Sequence, residues 1–189
     1  MKALSLIPLC LLGLAACSDP ESIARYPIDP PTAEKALPNR LGRAELREVS
    51  LPQYAGGQEI AFQTEDGALR SNPDNLWADD PARSVTLALA RQISSLSGAT
   101  VISEPWPLAD PPTRKIEVRI EQMLPGADGQ LHVAGVYFVT ASGFESSGDT
   151  VRRFDFTVPM GSQDPQAQAI AKANSTAVTM LARQIAQLR

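Results

Sequence analysis

Few residues in this chain are of a type that does chemistry. Its 189 residues include one histidine, His132, and two cysteines, Cys10 and Cys17. A general base needs an orienting partner and a nucleophile within hydrogen-bond reach. His132 lies in an apolar run that reads as a central strand, and there is no G-x-S-x-G elbow to serve it. Gly143-Phe144-Glu145-Ser146-Ser147-Gly148 has the wrong spacing and reads as a turn. His132 is therefore expected to be a hydrogen-bonded structural or edge-facing histidine. The acidic pairs Glu65-Asp66 and Asp79-Asp80 fall at turn and cap positions, where carboxylates have a local structural role. Arg152-Arg153 reads as a solvated basic point on a strand. No Walker A loop, dinucleotide fingerprint or calcium loop is present. The expectation is a chain that is not an enzyme, with no catalytic residue, no metal site and no cofactor.

Charge excludes a further class. Seventeen Lys+Arg against 21 Asp+Glu give a net charge of −4, whereas a nucleic-acid partner demands a basic footprint that neutralises phosphates. At 43 % hydrophobic and 20 % charged residues, the composition is that of a globular domain and too polar for a multispanning membrane protein.

The cysteines point to a different chemistry. Residues 1–16 read MKALSLIPLCLLGLAA. Lys2 supplies a positive n-region, Ala3 to Leu14 an apolar core, and Ala15-Ala16 the small residues before a cleavage site. The apolar run is too short to span a hydrocarbon core, which needs about 20 residues. A plain secretory signal would have these features. Leu14-Ala15-Ala16-Cys17 adds one more, because it resembles the lipobox of bacterial lipoprotein signals. Cleavage then falls before Cys17, whose thiol is acylated. Cys10 leaves with the signal, so the mature chain has no free thiol and no disulfide, although its compartment is oxidising. Each buried CH₂ of an acyl chain contributes ~0.8 kcal/mol, and several chains on one residue give lasting attachment. Ser18 follows the cysteine. An aspartate there resembles an inner-membrane retention signal, so its absence favours the outer membrane, periplasmic face. Loss of Lys2 makes the mature chain more acidic still, and no basic patch contributes to anchoring.

The elements that must position everything else follow. Residues 17–42 carry Pro20, Pro27, Pro30, Pro31 and Pro38. Each fixes φ and lacks a donor, which predicts a semi-rigid tether. At ~3.1 Å per residue, roughly 20 residues of polyproline II reach about 60 Å. The folded domain is predicted over 43–189. Ala44 to Val49 suggests a strand, and Glu59 to Thr64 alternates with Ile60 and Phe62 on one face. Asp66-Gly67 signals a hairpin returning through Ala68 to Ser71. Asp79 or Asp80 caps a helix opened by Pro81, with Val85, Leu89, Ile93 and Leu96 as its apolar stripe and Gly98 as its C-cap. Ala99 to Ser103, Lys115 to Glu121, Leu131 to Thr140 and Arg153 to Val158 read as strands. Pro125-Gly126-Ala127-Asp128-Gly129 and Ser142 to Asp149 are turns between them. Asp164-Pro165 is expected to cap a last helix running to Leu188. The fold class is α/β of the α+β kind, a mixed and mostly antiparallel sheet packed on two amphipathic helices. The strand after the first helix is free to pair in parallel.

What stands out on the surface is apolar. Leu51-Pro52-Gln53-Tyr54 lies at a strand end, Leu76-Trp77 precedes a helix, and Trp106 sits between prolines. Loop tryptophans serve as binding anchors or as covers for element ends. Trp77 reads more as a staple of its helix, and Trp106 fits either role.

Taken together, Cys17 after a lipobox, Val49-Ser50-Leu51-Pro52-Gln53-Tyr54, Gln63-Thr64 and Asn75-Leu76-Trp77-Ala78 resemble the ABC-type transport auxiliary lipoprotein family. The resemblance runs from about Leu41 to Leu188. The acidic Asp79-Asp80-Pro81 start departs from the family pattern, but both versions cap a helix. The resemblance implies a small α/β domain of the anticodon-binding or TolB N-terminal type. It also implies a non-catalytic adaptor in an ABC-linked lipid-transport system. The expected partner is the MCE-domain protein that spans the periplasm, met at the outer membrane by a lipoprotein that maintains envelope integrity. A homo-oligomeric ring suits a protein that receives a tube. Docking is expected through Leu51, Pro52, Tyr54, Asn75, Leu76 and Trp77. Two other roles fit a lipoprotein of this size: an accessory of another outer-membrane assembly machine, or an envelope hydrolase using His132.

Overall fold

The computed structural model describes residues 22–142, 148–161 and 166–188. Two sheets and two helices make up the described part. The strands are β1 (Ala24–Tyr26), β2 (Arg43–Leu46), β3 (Glu59–Gln63), β4 (Leu69–Trp77), β5 (Thr100–Ser103), β6 (Arg114–Pro125), β7 (Gln130–Ala141) and β8 (Thr150–Pro159). The helices are α1 (Pro81–Ser97) and α2 (Ala167–Ala186). The larger sheet has the order β5-β2-β6-β7-β8, with β2 parallel to β5 and β6 and the other pairs antiparallel. The smaller has the order β1-β4-β3. The fold is thus mixed α+β, as expected, with the β3–β4 hairpin in a sheet of its own.

Alternation decides which strand face turns inward. Ile116, Val118 and Ile120 of β6 are buried, while Lys115, Glu117, Arg119 and Glu121 lie on the other face. A bulge between Ile120 and Gln122 shifts the phase, so Met123 turns inward again. β7 is central and faces the helices through Leu131, Val133, Tyr137 and Val139. Its outer residue Phe138 is covered by the Arg119 guanidinium, 5.0 Å from the ring centroid. Arg119 also pairs with Glu117, which Arg47 reaches at 3.0 Å. Hydrogen bonds from Arg119 and then Arg47 hold the Glu117 carboxyl below its ordinary range. The outer face of this apolar strand is thus partly shielded at Phe138 by a long charged side chain. At Gly135 an added Cβ would stand 2.2 Å from the Arg119 carbonyl oxygen, so glycine is required there for close strand approach.

The helices form where capping and periodicity agree. Asp80 Oδ1 accepts from the Arg83 amide at 2.9 Å, Pro81 opens α1, and Gly98 ends it at φ 72°. Val85, Leu89, Ile93 and Leu96 are all at 0 % exposure. Full burial of each such side chain contributes about 1.5–3 kcal/mol. α2 buries Ala167, Ile170, Ala177, Leu181 and Ile185. The expected Asp164-Pro165 cap lies outside the described residues, as do the signal, Cys17 and residues 143–147 of the β7–β8 turn; Gln166 at the N-cap makes no side-chain cap bond.

The expected tether is corrected from residue 22 onward. β1 pairs in parallel with the end of β4, Ala24 opposite Asn75 and Tyr26 opposite Trp77. The chain then runs across both helices. The Asp29 amide donates to Ser175 Oγ at 3.1 Å, and the Asp29 carboxylate pairs with Arg91. Gln92 Nε2 donates to the Pro31 carbonyl at 2.7 Å, and the Ala36 and Leu37 amides donate to the Leu96 carbonyl. Ile28 and Leu41 are 7 % and 1 % exposed. The prolines do prevent helix, as expected. They do not prevent packing, because their carbonyls and apolar rings find partners on the helices.

Residues 22–42 are therefore part of the domain and not a spacer. A chain beginning at Arg43 is expected to be about 3–6 kcal/mol less stable than one beginning at Ser22, from the burial of Ile28 and Leu41 alone. Urea unfolding of the two forms checks this; equal midpoints would return the segment to the role of a loose spacer.

Candidate functional site

The segment that leaves β2 is fixed by its backbone. The Val49 amide donates to Thr86 Oγ1 at 2.9 Å inside the core. The Ser50 amide donates to the Val118 carbonyl, and the Ile120 amide donates back to Ser50. Pro52 then starts a turn in which its carbonyl accepts from the Ala55 and Gly56 amides at 2.9 and 3.0 Å. That turn swings Tyr54 back onto β6, where its hydroxyl accepts from the Met123 amide at 3.2 Å. The bond satisfies an N–H next to the β6 bulge, where the ladder is interrupted.

Three of the expected docking residues meet there. Leu51, Tyr54 and Trp77 line one small cavity together with Ile28, Val85 and Met123. Its volume of about 10 Å³ is at the limit for a single water. Trp77 is 7 % exposed, its amide donates to the Gln58 carbonyl, and it pairs with Tyr26. It ends β4 instead of standing in a loop before α1, and its ring belongs to the core between the small sheet and the helices.

The other three are placed apart. Asn75 is half-buried and lines a groove of 290 Å³ with Tyr26, Phe62, Asn72 and Ile170. Leu76 points to the opposite face of β4, as strand alternation requires. It is 8 % exposed at the floor of a shallow depression beside Tyr54, Glu59 and Arg70. Pro52 is half-buried and acts through its turn. Leu76 and Trp77 thus offer little surface to a partner and contribute packing. Pattern reading overlooked Ile28 and Tyr26, which complete the cavity and the groove. Their signal was present as alternate apolar residues on either side of Pro27, masked by the prolines.

The residues considered for catalysis sit in local structure. His132 Nε2 lies 2.8 Å from Asp128 Oδ2 across the β6–β7 hairpin. Asp128 also accepts from the Gln130 amide, and that bond and the one from His132 hold its carboxyl below the ordinary range. Asp80 caps α1, and Asp79 pairs with Arg83. Trp106 is anchored through Nε1, which donates to the Asp110 carbonyl at 2.8 Å, and through its amide, which donates to Glu45 Oε1. Among the described residues no three His, Cys, Asp or Glu side chains group to hold a metal ion. The cavity at Trp77 and the groove at Asn75 are lined by apolar and uncharged side chains, and the depression at Leu76 also carries Glu59 and Arg70.

Comparison with known proteins follows this geometry. The family model described as ABC-type transport auxiliary lipoprotein component matches residues 26–186. No curated protein matches the chain. Among solved structures, an uncharacterized protein shares 18 % identity, with a TM-score of 0.65 over 82 % of this chain and 97 % of its own. Protein XCC0632 from Xanthomonas campestris shares 12 % identity, with a TM-score of 0.59 over 83 % of this chain and 90 % of its own. At these identities the two structures show likeness of fold.

Two outcomes are expected. Tyr54→Phe leaves the buried Met123 amide without its acceptor and should cost about 1–3 kcal/mol; an unchanged urea midpoint would mean that this bond does not hold the turn. Asp66 accepts first from the Thr64 hydroxyl, then from the Ala68 amide and the Arg70 guanidinium, which lowers its pKa from 3.8 to about 2. A lowered carboxylate pKa stabilises the folded turn above the unfolded value, and that stabilisation is lost as pH falls toward the folded one. The β3–β4 turn should therefore stay ordered at pH 4 and loosen between about pH 4 and pH 2, as followed by the Asp66 carboxyl signal in an NMR titration. A midpoint near 4 would contradict it.

Proposed function

We propose a function on one premise: the chain belongs to the ABC-type transport auxiliary lipoprotein family. On that premise it is a lipid-anchored adaptor of a transport system. Cys17 carries the acyl chains, the domain sits at the periplasmic face of the outer membrane, and it docks on the MCE-domain protein of an ABC-linked lipid transporter without turning over a substrate. The observation that carries the reading is the family match over residues 26–186 in a chain whose first residues end in Leu14-Ala15-Ala16-Cys17. Among the described residues no helix is long and apolar enough to cross a membrane. The adaptor role is supported by the site, where the cavity at Trp77 and the groove at Asn75 are lined by apolar and uncharged side chains and His132 is engaged with a hairpin carboxylate.

The Cys17→Ser variant should lose acyl labelling and accumulate as the unprocessed precursor. Normal processing and membrane retention of that variant would overturn the anchor. Purification of the wild-type lipoprotein from solubilised envelopes should recover an MCE-domain protein. Recovery of a β-barrel assembly complex in its place would move the protein to a different machine, and loss of envelope function in His132→Asn would move it to a hydrolase.

A further inference from the structure

The direction in which the N-terminal segment crosses the fold carries a consequence for how the domain meets its membrane. Tyr26 shares a groove with Gln166, Ala167 and Ile170 at the start of α2. Three residues on, Asp29 is bonded to Ser175 of α2 and Arg91 of α1. Pro31 shares a groove with Thr179, and Ala36 and Leu37 reach the Leu96 carbonyl near the end of α1. The chain therefore enters at the N-terminal ends of the helices and runs along them toward their C-terminal ends.

The β3–β4 hairpin stands at the same end. β1 is parallel to β4 and starts opposite Asn75, so the earlier part of β4 from Leu69 extends back past the start of β1. Its exposed end carries Leu69 at 47 % exposure, and Ile23, just before β1, is also exposed at 38 %. The opposite end holds Gly98 of α1, and the Thr100 amide donates to the Gly42 carbonyl there. Arg43 begins β2 beside it, and the Ser142 amide donates to the Thr113 carbonyl between the start of β6 and the end of β7.

Chain length closes the geometry. From Cys17 to Ala24 is seven residues, which span at most ~25 Å fully extended. The 20 residues of α2 alone are about 30 Å long. Such a leash is too short to carry the far end of the fold round to the bilayer. Resting on the acylation of Cys17 proposed above, we infer that the leash fixes the polarity of the domain. The end built from the start of β1, the β3–β4 hairpin and the first turns of both helices faces the phospholipid surface, and the end with Gly98, Thr113 and Ser142 faces away. Leu51, Tyr54 and Trp77 then lie in the membrane-facing half. A partner arriving from across the periplasm meets the end that carries Gly98 and Thr113.

The test uses the acylated full-length lipoprotein in phosphatidylethanolamine–phosphatidylglycerol vesicles. Its mature form has no free thiol in this reading, so Glu65→Cys and Ser142→Cys each accept a single fluorophore. Nitroxide-headgroup lipid should quench the Glu65→Cys probe at least severalfold more than the Ser142→Cys probe. Inserting 15 Gly/Ser residues between Asp19 and Pro20 should erase that difference. Equal or reversed quenching on protein that still floats with the vesicles overturns the polarity while leaving the anchor intact. Failure of the wild-type protein to float overturns the anchor and the polarity with it. A difference that survives the insertion shows that the face binds lipid by itself and that the leash does not set the orientation.

Discussion

Gln92 stands at 0 % exposure in α1 and donates its side-chain amide to the carbonyls of Pro30 and Pro31. A proline-rich segment has few N–H groups to offer, so it is held by donors that reach its carbonyls. Here α1 supplies one donor through Gln92, and α2 supplies an acceptor for the Asp29 amide through Ser175. Among the described residues the Oε1 of Gln92 is buried without a hydrogen-bond partner, a burden of about 1–3 kcal/mol. Ile28 and Leu41, buried by the same segment, offset it. The segment links the two helices, and its β1 end gives the small sheet its third strand.

The two sheets divide the labour. The five-stranded sheet and the helices carry the main core, where alternation along β6 and β7 meets the stripes of α1 and α2. The small sheet joins that core through Trp77, Ile60 and the Tyr54 hydroxyl on β6. Most of β4 before Asn75 is exposed. Pro73 is tolerated there because the pairing with β3 skips from Ser71 to Leu76 and asks no ladder bond of it. The result is a shared core with one largely exposed hairpin.

Several polar residues have a local structural role. Carboxylates at 66, 80 and 128 each organise a turn or a cap. His132 completes the β6–β7 hairpin beside Gly126, where an added Cβ would crowd Asp128 and the imidazole.

The sequence by itself determined the elements with strong periods and marked ends. These are the α1 stripe with Asp80, Pro81 and Gly98, the alternation of β6, and the Asp66-Gly67 hairpin, all set by short-range sterics and side-chain-to-backbone bonds. Only the tertiary structure decided that residues 22–42 pack on the domain and that Trp77 turns inward. β1 is three residues long and parallel to a strand some fifty residues away, so no local pattern announces it. Proline spacing states what a segment cannot form alone and leaves open what its carbonyls and rings find on a neighbouring helix. Where Leu51 and Tyr54 end up was likewise fixed by a turn at Pro52 and a single bond to the Met123 amide, a long-range contact that exists only once β6 has its bulge.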